Sequence, residues 1–133
     1  MEQHVAKRTG QPPLRFEGEQ LAEISGRWQD GRELNRGHDL VVYRTAAGKI
    51  ILSIHYWSQW QGESEQWTAA VVDRVADVSA ELLEHDPLGF LPPAHPSQSD
   101  RWARTEADIE RAYHVRVTEL LDALGIDAAE VVP

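Results

Sequence analysis

Two β-rich runs joined by a short glycine-containing loop restrict this chain more than any other feature. Leu40-Val41-Val42-Tyr43-Arg44 and Lys49-Ile50-Ile51-Leu52-Ser53-Ile54-His55-Tyr56-Trp57 are dense in β-branched and aromatic side chains, with Thr45-Ala46-Ala47-Gly48 between them. Such residues suit a pleated surface, and a Gly late in a short loop permits the left-handed step of a hairpin. Strand alternation puts Ile50, Leu52, Ile54 and Tyr56 on one face, and Ile51, Ser53, His55 and Trp57 on the other. The first face is expected to be core. The second is mixed, and is expected to be partly covered or to line a cavity.

The rest of the chain fits around this hairpin. Residues 14–24 read as a strand interrupted by Gly18, which marks a bulge or a close backbone approach. Residues 66–72 read as another, with Trp67, Ala69 and Val71 on one face. A short helix follows, capped by Asp73 or Asp77 and carrying Val78, Leu82 and Leu83 at helical spacing. Thr105 with Asp108 resembles a capping box. It opens a last helix whose stripe is Ile109, Ala112, Tyr113, Val117, Leu120, Leu121 and Leu124, stopped by Gly125. Residues 25–38 form a long connection, and residues 86–100, with Pro87, Pro92, Pro93 and Pro96, wrap the surface. Strands followed by helices predict an α+β fold: an antiparallel sheet of about four strands packed against two helices. Residues 1–13 are expected to be a flexible arm, and 14–133 a single domain.

Composition bounds the function. The chain has 133 residues, no Cys and a net charge of −9, which excludes a disulfide scaffold, a Cys-type zinc site and a thiol nucleophile. No apolar run approaches about 18 residues, so no membrane span is expected and the location is read as cytoplasmic. Residues 1–67 carry eight basic and nine acidic side chains, and residues 68–133 five and thirteen, so the halves differ as −1 against −8. That balance disfavours direct nucleic-acid binding and suits a basic protein partner. Eleven Arg against two Lys points to a high-GC bacterial genome.

Chemistry-bearing motifs are sparse. G-x-S-x-G and glycine-rich phosphate loops are absent. Glu17 with Glu19, and Glu63 with Glu65, sit two apart and read as solvated. Arg27, Arg32 and Arg36 fall in the long connection among Asp30 and Glu33, and read the same way. The histidines (His38-Asp39, His85-Asp86, His55, His95, and His114 one turn from Glu110) have no H-E-x-x-H spacing, so neither a metal nor a cofactor is expected. The tryptophans stand out. Tyr56, Trp57, Trp60 and Trp67 surround a turn containing Gln61 and Glu63, a setting for an interaction hot spot.

The segments Phe16-Glu17-Gly18-Glu19-Gln20-Leu21-Ala22 and Tyr43-Arg44-Thr45-Ala46-Ala47-Gly48-Lys49 resemble a bacterial family called EXLDI, over roughly residues 14–72. There an F-x-G-x-x-L-A strand precedes a Y-R-T-A-x-G-K hairpin. The family's E-x-L-D-I ending is replaced here by Glu130-Val131-Val132-Pro133. The resemblance implies an accessory bacterial protein without known catalysis.

Three functions follow in order of expectation. The first is a small acidic accessory or regulatory protein of antitoxin, immunity or anti-defence type. It binds a protein partner through Trp57, Trp60, Gln61, Glu63 and Trp67, without catalysis. The second is a small-ligand-binding domain with a pocket between sheet and C-terminal helix, lined by Ser53, His55, Trp57 and Tyr113. The third is a metal-dependent hydrolase. A free strand edge leaves homodimerisation open.

Overall fold

The computed structural model describes residues 1–60, 62–89 and 99–126. The strands are β1 (Glu2–Arg8), β2 (Gln11–Ile24), β3 (Trp28–Gln29), β4 (Arg32–Glu33), β5 (Arg36–Thr45), β6 (Ile50–Ser58) and β7 (Gln66–Val72). A single 3-10 turn, Val75–Asp77, leads into α1 (Val78–Glu84), and α2 spans Ser99–Ala123. The fold is α+β. Five strands pair antiparallel in the order β1-β2-β5-β6-β7, and β3-β4 make a separate ribbon.

The hairpin is where the alternation puts it. Leu40 lies opposite Ile54, Val42 opposite Leu52, and Arg44 opposite Ile50. Their shared face joins Ala22, Val78, Leu82, Tyr113, Val117, Leu120 and Leu121 in one core. Leu83, expected on the same stripe, points to solvent instead. Gly18 answers to a close approach: a Cβ there would stand 2.2 Å from the Arg44 carbonyl oxygen. A bulge between Gln20 and Ala22 shifts the register so that Ala22 returns to the core face.

The sheet has a fifth strand because the expected arm, residues 1–13, is β1 with its turn into β2. Apart from Val5 its outward residues are polar, and no apolar alternation marks it as a strand. Inward, His4 stacks near Phe16 and Tyr43, with ring centroids 5.5 and 4.7 Å away, and Ala6 is buried. The sheet curls far enough for the Thr9 N–H to donate to the Trp67 carbonyl at 2.9 Å. Ala6, Ile51 and Ser53 are thereby buried on the face turned away from the helices.

Two further differences concern residues 25–38 and α2. The connection is folded: Asp30 and Gly31, with φ of 52° and 76°, make the tight turn of the β3–β4 ribbon. Arg116 ties that ribbon to α2 by donating to the Trp28 carbonyl at 2.8 Å, while also holding Glu119 at 2.8 Å. Helix α2 starts at Ser99 rather than at a Thr105 cap. The Thr105 hydroxyl donates to the Arg101 carbonyl inside the helix, and Asp108 pairs with Arg111. The surface-wrapping stretch lies mostly outside the described residues; its start is a turn in which the Leu88 N–H donates to Asp86.

Candidate functional site

Side chains of functional type collect in two places. The first lies at the turn after β6. Arg36, at the start of β5, is opposite Ser58 in register. Its guanidinium makes two hydrogen bonds to Glu63, at 2.8 and 2.5 Å, and the Tyr56 hydroxyl donates to the same carboxylate at 3.0 Å. The Arg36 bond holds Glu63 below the ordinary carboxylate range, and Glu63 in turn raises Arg36. Burial, with the adjacent Glu63 charge, pushes Tyr56 up, so it stays a neutral donor. Arg36 lies 5.6 Å from the Trp60 ring centroid and 5.7 Å from that of Trp102, at the first turn of α2. Arg36, Trp60, Arg101, Trp102 and Thr105 surround a depression of about 280 Å³.

The second place is a cleft of about 380 Å³ lined by Ser25, Arg27, Asp39, His55, Trp57, Ser58 and Glu65. Asp39 on β5 stands opposite His55 on β6, and His55 opposite Trp67 on β7. Asp39 accepts from the Gly26 N–H at 2.7 Å and from Trp57 Nε1–H at 3.2 Å. Burial alone would raise the Asp39 pKa; the His55, Gly26 and Trp57 contacts outweigh it and hold the pKa below the usual carboxylate value. His55 lies flat on Trp67, with centroids 3.6 Å apart and planes 4° apart. Its Nδ1 is 3.8 Å from Asp39 Oδ2 and its Nε2 3.6 Å from Glu65 Oε1. That Nε2 is buried and has no hydrogen-bond partner.

The expected partner-binding residues therefore separate. Trp60, 50% exposed, is at the first place. Glu63 is there too, but its side chain is only 9% exposed and braces Arg36 rather than facing a partner. Trp57 and Trp67 belong to the second place, and Gln61 lies outside the described residues. The four expected pocket residues do not converge either. Ser53, His55 and Trp57 are on the sheet face turned from the helices. Tyr113 is in the core on the other face, its hydroxyl donating to the Leu82 carbonyl at 2.7 Å. Helix α2 packs on the Leu52 face, so a pocket between α2 and the mixed face cannot form from these residues. Asp39, Glu65 and Trp102 carry no site signal of their own in the sequence. The register of the hairpin is the signal that pairs Asp39 with His55; nothing local in sequence connects Trp102 to Arg36.

Among the described residues the other histidines do not gather into a metal site. His38 is buried beside Tyr56, His85 and Tyr113, and His95 is outside the described residues. Among the described residues no three His or carboxylate side chains are placed to hold a metal ion. No described helix is long and apolar enough to cross a membrane. Comparison with protein-family models, curated proteins and solved structures finds no match to this chain.

Proposed function

We propose that this chain is a small bacterial accessory or regulatory protein that binds another protein without turnover, with Trp60 as the anchor of the contact. One observation carries the reading. Trp60 is a half-exposed indole resting beside an arginine that is itself clamped by Glu63. A large aromatic held in place before binding loses little conformational entropy on docking, which is the profile of a hot-spot residue. The charge asymmetry favours a basic partner. Residues 73–86, around α1, carry Asp73, Asp77, Glu81, Glu84 and Asp86 against Arg74 alone. The resemblance to the EXLDI family supports the same accessory role.

The test is affinity capture from host lysate with wild type, Trp60→Ala and, as a control, Trp28→Ala, another exposed indole. A stoichiometric partner retained by wild type and Trp28→Ala but lost by Trp60→Ala supports the reading. Equal capture by all three, or none by any, overturns it.

A second reading, a small-ligand-binding domain, is favoured by the cleft at His55. Its groups come from the residues just after β2, the first half of β5, the second half of β6 and the residue before β7, and its central imidazole has one nitrogen with no hydrogen-bond partner within reach.

A further inference from the structure

We propose that the depression between Trp60 and the first turn of α2 receives the C-terminal end of a partner chain, a terminal carboxylate whose last residue is aromatic. The inference rests on the partner-binding reading through Trp60 and names what the partner inserts there.

Charge decides what the depression attracts. Arg36 and Arg101 both line it. Arg36 donates to Glu63 from Nε and Nη2, and its Nη1 end lies outside that fork. A guanidinium carries five N–H donors, so one carboxylate does not exhaust it. Arg101 is exposed and has no ion pair among the described residues. Asp100 precedes Arg101 but does not line the depression, and Asp108, in the adjoining hollow, is held by Arg111. Two guanidiniums with one carboxylate leave a positive site on a chain of net charge −9. An anion is favoured, and the planar fork of arginine matches a carboxylate.

The walls set the shape of the group that carries this anion. The Trp60 ring centroid lies 5.6 Å from the Arg36 guanidinium carbon, and that of Trp102 lies 5.7 Å from it. Cation and aromatic surface are thus within reach of one residue. In a C-terminal aromatic residue only three bonds of about 1.5 Å separate the carboxylate carbon from the ring. Such a residue sets its carboxylate on the arginines and its ring against the half-exposed Trp60 indole, in the offset or edge-on contact that aromatic pairs prefer. An Asp or Glu side chain brings the charge without the ring.

The rest of the incoming chain also has a path. The depression shares Arg36 and Thr105 with a second hollow of about 230 Å³, whose walls include Leu34, Asn35 and Ala112. Arg101, Thr105, Asp108 and Ala112 recur at steps of three and four, so the joined hollows follow one face of α2. From Arg101 to Ala112 that face runs about 16 Å at about 1.5 Å per residue, the length of about five extended residues. The Asn35 side-chain amide has a donor and an acceptor to offer a peptide group along the way. A free aromatic amino acid would use the first hollow alone.

The test uses the whole chain and three probes: N-acetyl-Gly-Gly-Gly-Phe with a free carboxylate, the same peptide as its C-terminal amide, and N-acetyl-phenylalanine. Binding is read by tryptophan fluorescence and calorimetry. The expected result is saturation by the acid peptide at concentrations on the order of 1 mM, weaker binding of N-acetyl-phenylalanine, and none of the amide. Arg101→Gln should weaken the acid peptide about 5-fold, as an exposed pair does, and leave thermal unfolding unchanged. Trp60→Ala should abolish binding, and Trp28→Ala should leave it intact. Equal binding of acid and amide overturns the carboxylate. Equal binding of N-acetyl-phenylalanine and the acid peptide overturns the chain end as its source. No saturation by any probe overturns the whole inference, while the partner reading is decided separately by capture with Trp60→Ala.

Discussion

His38 makes acid stability a direct test of the core. Its ring is 2% exposed and packed between Tyr56, His85 and Tyr113. Burial, reinforced by the neighbouring His85, lowers its pKa to about 3. In the unfolded chain a histidine titrates near 6.5. The folded state therefore binds fewer protons through that interval, and acid favours unfolding. The stability is complete above about pH 6.5 and is lost as pH falls towards 3. Each pH unit inside the window costs about 1.4 kcal/mol, so acidification from pH 7 to 5 should remove about 2 kcal/mol through His38 alone. That is a large part of the 5–15 kcal/mol typical of a domain. His85, also lowered by burial, adds in the same direction. The depressed carboxylates Asp39 and Glu63 act at lower pH, so the interval from 7 to 5 isolates the histidines. Urea unfolding at pH 7, 6 and 5, followed by tryptophan fluorescence, measures the slope. His38→Phe keeps an aromatic ring in the site and removes its charge. The variant's loss of stability between pH 7 and 5 should be smaller than that of the wild type by about 2 kcal/mol. A variant with the wild-type slope refutes the assignment.

Two further substitutions test the supports of the candidate sites. Glu63→Gln breaks a largely buried ion pair and leaves Arg36 without its counter-charge; denaturant unfolding should show a loss of about 3 kcal/mol, and a loss near zero would mean that Arg36 stands without Glu63. Gly18→Ala drives a methyl group into the Arg44 carbonyl; the β2–β5 pairing must shift, and thermal unfolding should report a loss of roughly 3 kcal/mol, whereas a neutral result would show that the strands separate freely there.

How much of this was legible in the sequence depends on range. The β5–β6 hairpin and its two faces followed from period-two alternation, because each strand is long and strongly apolar. The β3–β4 ribbon did carry its signal, Asp30-Gly31, but its strands have two residues each and no alternation to flank the turn. Strand β1 reads as a polar arm because its place in the sheet comes from one face only, His4 and Ala6 closing against residues of distant strands. The Thr105 cap failed because a helix start is decided by what the preceding turn packs against. Here that turn carries Trp102, which docks on Arg36 far back in the chain.

The same reasoning explains why the cleft was half visible. His55 stands out in the sequence because it interrupts an otherwise apolar strand, and Trp57 because it shares that strand's mixed face. Asp39 and Glu65 look like ordinary solvated acids until pairing is considered. Once Leu40 is set opposite Ile54, Asp39 must stand opposite His55, and β7 then brings Trp67 alongside. Alternation that commits one face of three strands to the α2 core necessarily collects their polar and aromatic residues on the other. The cleft is thus a consequence of strand register. A one-residue slip of β5 would bury Asp39 in the core and dismantle the site together with the fold.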